Sequence, residues 1–548
     1  MRQFRSSRDL EMKSADYLEN ASTEDLTTVQ SQVDLLREGL ARLRAQLHGN
    51  QSTQHGSKAA ASQPSQHRVR TGPSGYDGPL PEGDPCFMTA SELSLAYRHH
   101  TLSPVEVVRA LLERIDVVDK SLHAYVAVFA DTAMARARRS ESRFMADRPL
   151  SSLDGVPVAL KDLFDIRGTV TGGGSKAFEH RVARSDAWLV RQLTRVGAIP
   201  LGKVALDELG IGDSAADGVP DRPKNPWNED LSPGGSSSGP AVAIAARLCP
   251  IAWGTDTGGS VRFPAAWCGV VGLKPTLGSI GPAGCLPLSP TLDHIGPITR
   301  SVGDASLVMT TISAGPGSHK PQPTPDVAGH PPRAQCSLSN LRVGVPWNFV
   351  ETEFRVDADT RLAYTAVVKY FERCGAKIIP VEFPWIDLEP TIYGTILTVE
   401  AFAQFRSLLL RPGELGRSTY RRLLVGCFLS PADYADAMHG RDLFNSSMDE
   451  VMNQVDVLIL PTAPKPASVG ASENPPGWLS PSFRHPFNVT GQPAVTVPAG
   501  LSGAGLPIGI QFVGSLSGDS ELLSIVGEFE KDHPWQFLAP NSYGSSLG

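Results

Sequence analysis

The segment SPGGSSSGPAVAIAARLCPIAWGTDTGGSVRFP, residues 232–264, carries the pattern that decides the fold. It holds two serine-bearing glycine loops, 234–239 and 254–260, separated by a helical stretch, 240–248, and a short apolar run, 251–253. Such a run, bounded by proline and glycine, is typical of a buried strand. The glycines leave room for a substrate carbonyl and expose backbone N–H groups that can hold its developing negative charge.

The same alternation of strand-like and helical segments continues on both sides of this stretch. Besides 251–253, short apolar runs occur at 156–160, 199–202, 341–345, 457–460, 494–497 and 508–513. Helical spacing occurs at 91–99, 104–119, 186–197, 240–248 and 360–375. Because strands alternate with helices, the sequence predicts an α/β architecture with helices on both faces of a sheet.

A lone lysine, Lys161, ends the apolar run Val156-Pro157-Val158-Ala159-Leu160 upstream of the two loops. The ordinary pKa of lysine is about 10.4, and burial among apolar side chains lowers it. A neutral amine can then take a proton from a hydroxyl group. Together with the serine loops, this lysine indicates a hydrolase.

Composition excludes several other classes of protein. The chain has 548 residues, with 50 basic and 57 acidic side chains spread along it and a net charge of −7, so no basic stripe indicates nucleic acid or a membrane surface. Its seven cysteines are scattered and form no C-x-x-C pair, which argues against a disulfide framework and a zinc site. No apolar run reaches the ~18 residues of a membrane span. We expect a soluble cytoplasmic protein that acts on small molecules without a metal or cofactor.

The N-terminal region has a heptad pattern over residues 22–48. Apolar residues alternate at spacings of three and four: Leu26, Val29, Val33, Leu36, Leu40, Leu43 and Leu47. Two interpretations stay open, an amphipathic helix packed on its own globular body and a coiled coil that makes a homo-oligomer. Residues 49–75 are rich in Ser, Gln, Gly and His and predict a flexible linker. We therefore expect three regions: a helix at 1–48, the linker, and a catalytic domain at 76–540.

Four stretches carry a family resemblance: GVPVALKD at 155–162, the two serine loops with their flanks, CGVVGLKPT at 268–276 and FNVTGQPA at 487–494. In these the chain resembles the amidase signature family and, more distantly, the A subunit of glutamine-dependent tRNA amidotransferase and fatty acid amide hydrolase. The resemblance covers roughly residues 85–535, is strongest between 150 and 300, and is weak between about 350 and 455. It implies a large mixed central β-sheet covered by helices, and hydrolysis of linear amides without a cofactor.

The resemblance also implies roles for individual residues. Ser260 is the nucleophile, Ser236 the bridging serine after a cis peptide bond from Gly235, and Lys161 the base. Lys161 would take a proton from Ser236 while Ser236 takes one from Ser260. The backbone amides expected to form the oxyanion hole are those of Thr257, Gly258, Gly259 and Ser260. Asp256 and Arg262 are expected to pin the nucleophile loop by charge pairing. The Ser237 hydroxyl either bonds within the site or faces solvent.

Two other motifs compete with this interpretation. The stretch 235–239 formally fits G-x-S-x-G, which would make Ser237 an α/β-hydrolase nucleophile with Asp293 and His485 as partners. The residues before it do not form the strand that such a motif requires, and Lys161 stays unexplained. The stretch GGGSK at 172–176 lacks the spacing of a phosphate-binding loop and predicts a tight turn.

Within the resemblance, the alternatives are an amidotransferase A subunit and a carbamate or ester hydrolase. The A subunits bind glutamine with an aspartate-containing insertion, whereas residues 470–486 contain no aspartate. Trp478, Pro481 and Phe483 in this stretch would suit an apolar acyl or aryl group, or simply pack a surface loop. A third hypothesis, from another class, is an inactive scaffold that oligomerises through the N-terminal helix. The substrate itself is not predicted.

Overall fold

The computed structural model describes residues 17–18, 21–51, 83–313, 338–350, 356–383, 385–469, 479–535, 538–540 and 543. All but the first three residues of the predicted linker, 49–75, lie outside these ranges. Within the described ranges, every helix is too short or too polar to span a lipid bilayer.

One mixed sheet runs through the centre of the described chain. Its strands are β1 Tyr125–Val128, β2 Pro157–Lys161, β3 Ile199–Val204, β4 Ile251–Asp256, β5 Val271–Lys274, β6 His294–Thr299, β7 Arg342–Val345, β8 Lys377–Pro380, β9 Val457–Pro461, β10 Ala494–Leu501 and β11 Pro507–Val513. They lie in the order β1-β3-β2-β4-β6-β5-β10-β11-β9-β7-β8. The strand pairs β2/β3, β2/β4, β7/β8 and β7/β9 are parallel, and the others are antiparallel.

Helices surround this sheet. They are α1 Thr23–Gln51, α2 Ala90–Arg98, α3 Pro104–Leu122, α4 Ala130–Met145, α5 Trp188–Arg195, α6 Ser238–Ala245, α7 Arg262–Cys268, α8 Val302–Ser313, α9 Ala358–Arg373, α10 Glu389–Phe405, α11 Arg417–Cys427, α12 Pro431–Met452, α13 Pro486–Val489 and α14 Asp519–Asp532. Every residue of β2, β3 and β4 is buried, so both faces of the sheet are covered there. The predicted α/β class with a large mixed sheet is confirmed.

The apolar runs predicted most of the sheet but not all of it. Each of the seven predicted runs overlaps a strand to within a residue at its start, whereas β1, β5, β6 and β8 were not predicted. The reason is local: β5 and β6 contain glycine or proline in runs of only four to six residues, and β1 and β8 are the outermost strands. Such segments form strands because their neighbours pair with them, which a single sequence does not reveal.

The N-terminal helix α1 packs on the body of its own chain. The heptad residues Val29, Val33, Leu36, Leu40 and Leu43 are buried in the same apolar core as the rest of the molecule, and α1 lies against α10, α11 and α12. Ion pairs fix it there: Arg421 Nε contacts Asp25 Oδ1 at 2.6 Å, and Arg44 Nη2 contacts Asp433 Oδ1 at 2.5 Å.

This packing corrects one of the two predictions for the helix. A coiled coil would need the heptad residues on an accessible seam, and here the chain's own helices cover them. Self-association through the seam of residues 22–48 is therefore not supported. Gly39, which weakens an isolated helix, has a packing role, because a Cβ at this position would collide with the side chain of Thr391.

Candidate active site

Lys161 is the last residue of β2, at an edge of the sheet where several loops converge. Strand β2 runs parallel to β4, with Leu160 opposite Trp253. Parallel neighbours bring their carboxyl ends to the same edge, where open α/β sheets bind ligands. Lys161 is therefore next to the glycine loop that follows β4.

The Lys161 ammonium is fully buried and contacts only hydroxyl groups among the described residues. Its Nζ lies 2.9 Å from Ser236 Oγ, 3.0 Å from Ser237 Oγ and 2.9 Å from Thr255 Oγ1. Burial lowers the pKa of Lys161 to about 8, against an opposing pull from the carboxylate of Asp207. A minor fraction of this amine, about a tenth at pH 7, is therefore neutral.

Ser236 and Ser237 lie in the loop that leads into α6. The peptide bond between Gly235 and Ser236 is cis, as the resemblance implies. Ser237 is fully buried, and its Oγ donates to the carbonyl of Thr255 at 3.1 Å, so it bonds within the site and does not face solvent. The Ser237 amide donates to the carbonyl of Ser260 at 3.1 Å, which ties the two serine loops together.

Ser260 follows β4 in the turn before α7 and is half-buried. It lines the same cavity as Ser236. Among the described residues, however, no hydrogen bond joins Ser260 Oγ to Ser236 Oγ. The structure thus brings Lys161 and Ser236 into contact and places Ser260 on the same cavity wall without a direct bond between the two serines.

A buried ion pair holds the Ser260 loop. Arg262 Nη2 lies 3.0 Å from Asp256 Oδ1, and both side chains are completely buried. Asn488 Nδ2 donates to Asp256 Oδ1 at 2.9 Å, and Arg262 Nη1 donates to Gln511 Oε1 at 3.1 Å. Burial alone would raise the pKa of Asp256, but the charge and hydrogen bonds of Arg262 lower it well below its ordinary value. Asp256 is therefore a permanent anion around which the loop folds.

The same carboxylate changes the expected oxyanion hole. The amide of Gly259 donates to Asp256 Oδ1 at 2.7 Å. Because this hydrogen bond occupies the amide, Gly259 is not a candidate for the oxyanion hole. The amides of Thr257, Gly258 and Ser260 donate to no described group. Gly258 has no space for a side chain, since a Cβ there would collide with the hydroxyl of Tyr393. Three of the four predicted amides are thus left as candidates for holding an oxyanion.

A cavity of about 440 Å³ opens over these loops. Its walls include Ser236, Thr257, Gly258 and Ser260 on one side, and Tyr393 and Arg422 from α10 and α11. The size suits a small molecule. His485 also lines it, with its ring stacked on that of Tyr393 at 3.9 Å between centroids.

The competing α/β-hydrolase arrangement does not form. Asp293 accepts from Thr257 Oγ1 at 2.6 Å, and burial raises its pKa to about 6. Burial lowers the pKa of His485 well below its ordinary value. No described hydrogen bond joins either side chain to Ser237, whose own partners are Lys161 and Thr255.

Of the apolar stretch that could contact a substrate or pack a loop, the described residues Pro481 and Phe483 do not line this cavity. Phe483 is buried against Phe349, with ring centroids 5.1 Å apart, and Pro481 is exposed. Neither lines the cavity, and Trp478 lies outside the described residues. Phe483 therefore packs inside its own chain. Sequence shows that a side chain is apolar but not which way it points.

The stretch 172–176 forms the predicted tight turn, in which the amide of Ser175 donates to the carbonyl of Gly172.

Several site residues were missed from the sequence. Thr255 lies within the second glycine loop but was not singled out as a partner of Lys161. Tyr393 and Arg422 come from the region of weak resemblance, and Gln32 comes from α1, outside the resemblance altogether. No local motif marks these three, because only long-range packing brings them to the cavity.

Comparison with known proteins identifies the relatives of this chain. A family profile described as Amidase matches residues 106–523. The A subunit of glutamyl-tRNA(Gln) amidotransferase from Geobacter metallireducens is 33% identical over 483 residues, which are 82% of this chain and 98% of that subunit.

Solved structures of an amidase and of an amidotransferase A subunit are also similar to this chain. The native peptide amidase of Stenotrophomonas maltophilia has a TM-score of 0.69 at 27% identity, covering 81% of this chain and 96% of its own. The amidotransferase A subunit of Thermotoga maritima has a TM-score of 0.68 at 28% identity, covering 84% and 99%. The chain therefore belongs to the amidase family, whose hydrolases cleave carbon–nitrogen amide bonds.

Proposed function

We propose that this chain hydrolyses amides by itself through an acyl-Ser260 intermediate, with Ser236 and Lys161 as the proton relay. The observation that carries the proposal is the buried Lys161 amine, 2.9 Å from Ser236 Oγ, in a cavity that Ser260 also lines. A base at neutral pH needs a lowered pKa, and burial supplies it.

In the acylation step, neutral Lys161 takes the proton of Ser236 as Ser236 takes that of Ser260. The freed Oγ of Ser260 attacks the carbonyl carbon and gives a tetrahedral oxyanion, which the amides of Thr257, Gly258 and Ser260 stabilise. The carbon–nitrogen bond then breaks, and the leaving nitrogen takes the relayed proton. Water hydrolyses the resulting ester by the same relay, which restores the Ser260 hydroxyl.

The relay needs a bond between Ser236 and Ser260 that the free protein does not form. Catalytic hydrogen bonds are often long without substrate and shorten when substrate fills the site. Both hydroxyls line one cavity, and the Ser237–Ser260 backbone bond keeps their loops adjacent. We expect the bound carbonyl to bring the two hydroxyls together.

The similarity to amidotransferase A subunits supports a second candidate, a glutaminase that passes ammonia to a partner. Against it, residues 470–486 contain no aspartate. Carbamates and esters would fit the same chemistry. A panel of primary amides, anilides, carbamates, esters and glutamine, given to the purified chain without partners, separates these functions.

The test of the proposal is the variant Ser260→Ala, with exposed Ser520→Ala as its matched control. We expect wild type and Ser520→Ala to release amine at equal rates, and Ser260→Ala to lose at least about 10³-fold in kcat. A wild-type chain inactive on the whole panel would favour the scaffold, and activity on glutamine alone would favour the amidotransferase subunit. Full activity in Ser260→Ala would exclude this nucleophile.

A further inference from the structure

Asp293 immediately precedes β6 and lies opposite the turn that follows β4. Strand β4 pairs antiparallel with β6, with Asp256 opposite His294. The residues just beyond this pair are Thr257 and Asp293, and Thr257 Oγ1 donates to Asp293 Oδ1 at 2.6 Å. Thr257 lines the cavity, whereas Asp293 does not. Asp293 can therefore act on an oxyanion through Thr257 without touching the substrate.

The Thr257 hydroxyl is the side-chain anchor for this part of the loop. Two glycines, Gly258 and Gly259, follow it, and a glycine has no side chain with which to hold its backbone. The Gly259 amide is already bound, but the amides of Thr257 and Gly258 donate to no described group. The bond from Thr257 to Asp293 thus fixes the loop where two of the candidate oxyanion-hole amides lie.

Asp293 is in turn held in place by other elements. Its Oδ2 accepts from the amides of Leu288 at 2.9 Å and Ser289 at 3.0 Å. Ser289 Oγ donates to Glu400 Oε2 on α10 at 2.6 Å, and Tyr434 on α12 donates to Oε1 of the same carboxyl at 2.7 Å. Hydrogen bonds therefore connect the second glycine loop to two helices of the region where the family resemblance is weak.

The Asp293 side chain acts only as an acceptor in its three described hydrogen bonds. Protonation would put a hydrogen on an oxygen that already faces a donor, so one of these bonds would break or reverse. Burial raises the pKa of Asp293 to about 6, and the charge of Glu400 adds to this rise. The other titratable groups that face it are Lys161, Cys285 and Tyr393. The bond to Thr257 is therefore at risk in mildly acidic solution.

We infer that Asp293 is a positioning residue: its carboxylate holds Thr257 so that the amides of the second glycine loop point at the oxyanion, and only the ionised form does this. The inference rests on the proposed function, since it assumes an oxyanion formed by attack of Ser260. A hydrogen bond to a carboxylate is roughly twice as strong as one between neutral groups, so protonation loosens the loop. The reaction then needs two deprotonated groups, Lys161 and Asp293.

The experiment measures the rate constant with which an alkyl fluorophosphonate labels Ser260 between about pH 5 and pH 9. Ser260 Oγ displaces fluoride from phosphorus, and the phosphoryl oxygen gains negative charge in the transition state, so the rate reports on both the relay and the oxyanion hole. With pKa values of about 6 and about 8, the wild-type rate constant should fall about 50-fold from pH 6 to pH 5. Titration of Lys161 alone would give about tenfold.

Variants on both sides of the bond separate this role from a structural one. Asp293→Asn and Thr257→Val should each lower the plateau rate constant about 10²-fold. From pH 6 to pH 5 both should then fall only about tenfold, as expected for Lys161 alone. Thr257→Ser keeps the hydroxyl and should keep the wild-type profile. Asp147→Asn, which changes an exposed carboxylate, is the matched control and should behave as wild type.

A fall of only about tenfold in wild type, or a steeper fall that persists in Asp293→Asn, would overturn the role of Asp293 and leave the proposed function intact. If Asp293→Asn loses its native circular dichroism, the wild-type profile and Thr257→Val decide. Absence of Ser260 labelling in wild type at every pH would contradict the proposed function, and this inference with it.

Discussion

Three lysines are buried in the part of the chain that the structure describes, and their surroundings give them different roles. Lys203 pairs with Asp162 at 3.0 Å, and Lys274 donates to the carbonyls of Pro275 and Gln492. Lys203 also donates to the Thr171 hydroxyl, but only Lys161 has hydroxyl groups as all of its described hydrogen-bond partners, and hydroxyl groups can give up protons. Burial by itself does not make a base, since all three amines are buried. The partner atoms decide which lysine can do acid–base chemistry.

The pH profile of kcat/KM tests this assignment. Because the working base is the neutral amine and the pKa of Lys161 is about 8, about a tenth of the enzyme is competent at pH 7. We expect kcat/KM to rise about tenfold from pH 7 to a plateau above about pH 9. In Lys161→Met the activity should fall at least about 10²-fold and the rise should vanish. A wild-type profile that falls between pH 7 and 9 would contradict the role of Lys161.

The Asp256–Arg262 pair gives a prediction for stability. Removing one partner of a buried ion pair leaves an uncompensated charge, which costs about 3–5 kcal/mol. We expect Arg262→Met to lower the free energy of unfolding by this amount, measured by urea denaturation followed by tryptophan fluorescence. Arg342→Met, which removes a half-exposed partner of Asp456, should cost less than about 1 kcal/mol. Equal effects of the two variants would contradict a special role for the buried pair.

At the scale of elements, α1 shows what a heptad pattern can and cannot predict. The pattern predicted the helix and its buried residues, with the end placed at residue 48 instead of Gln51. It could not predict the covering surface, because a seam of this kind fits a second copy and the chain's own helices equally well. Here α10, α11 and α12 cover it, and the acidic first turn of α1 meets Arg417 and Arg421.

Two adjacent leucines on α1 test this packing. Leu36 is 1% exposed and Leu35 is 44% exposed. We expect Leu36→Ala to cost about 2–5 kcal/mol of stability and Leu35→Ala to stay within about 0.5 kcal/mol. Urea denaturation of both variants gives the comparison, with sedimentation velocity as the second readout. A change of oligomeric state in Leu36→Ala without loss of stability would revive the coiled coil.

At the scale of the whole molecule, the sequence located the candidate catalytic side chains better than it located the walls of the cavity. The lysine, both serine loops and the Asp256–Arg262 pair lie on strand ends and turns that short motifs specify. The pocket walls come from Tyr393, Arg422 and other residues distant in sequence, which the fold alone assembles. Phe483 shows the limit most clearly, since its apolar character fitted both substrate contact and packing, and the structure places it in the core.

The most direct test of the account is to identify the acylated residue. The purified enzyme is mixed with an activated aryl ester, quenched in acid within milliseconds and digested, and the peptides are sequenced by mass spectrometry. We predict an acyl group on Ser260 that accumulates in a burst and is absent in Ser260→Ala. An acyl group on Ser236 or Ser237, or turnover without any acylated serine, would contradict the relay from Lys161 through Ser236 to Ser260.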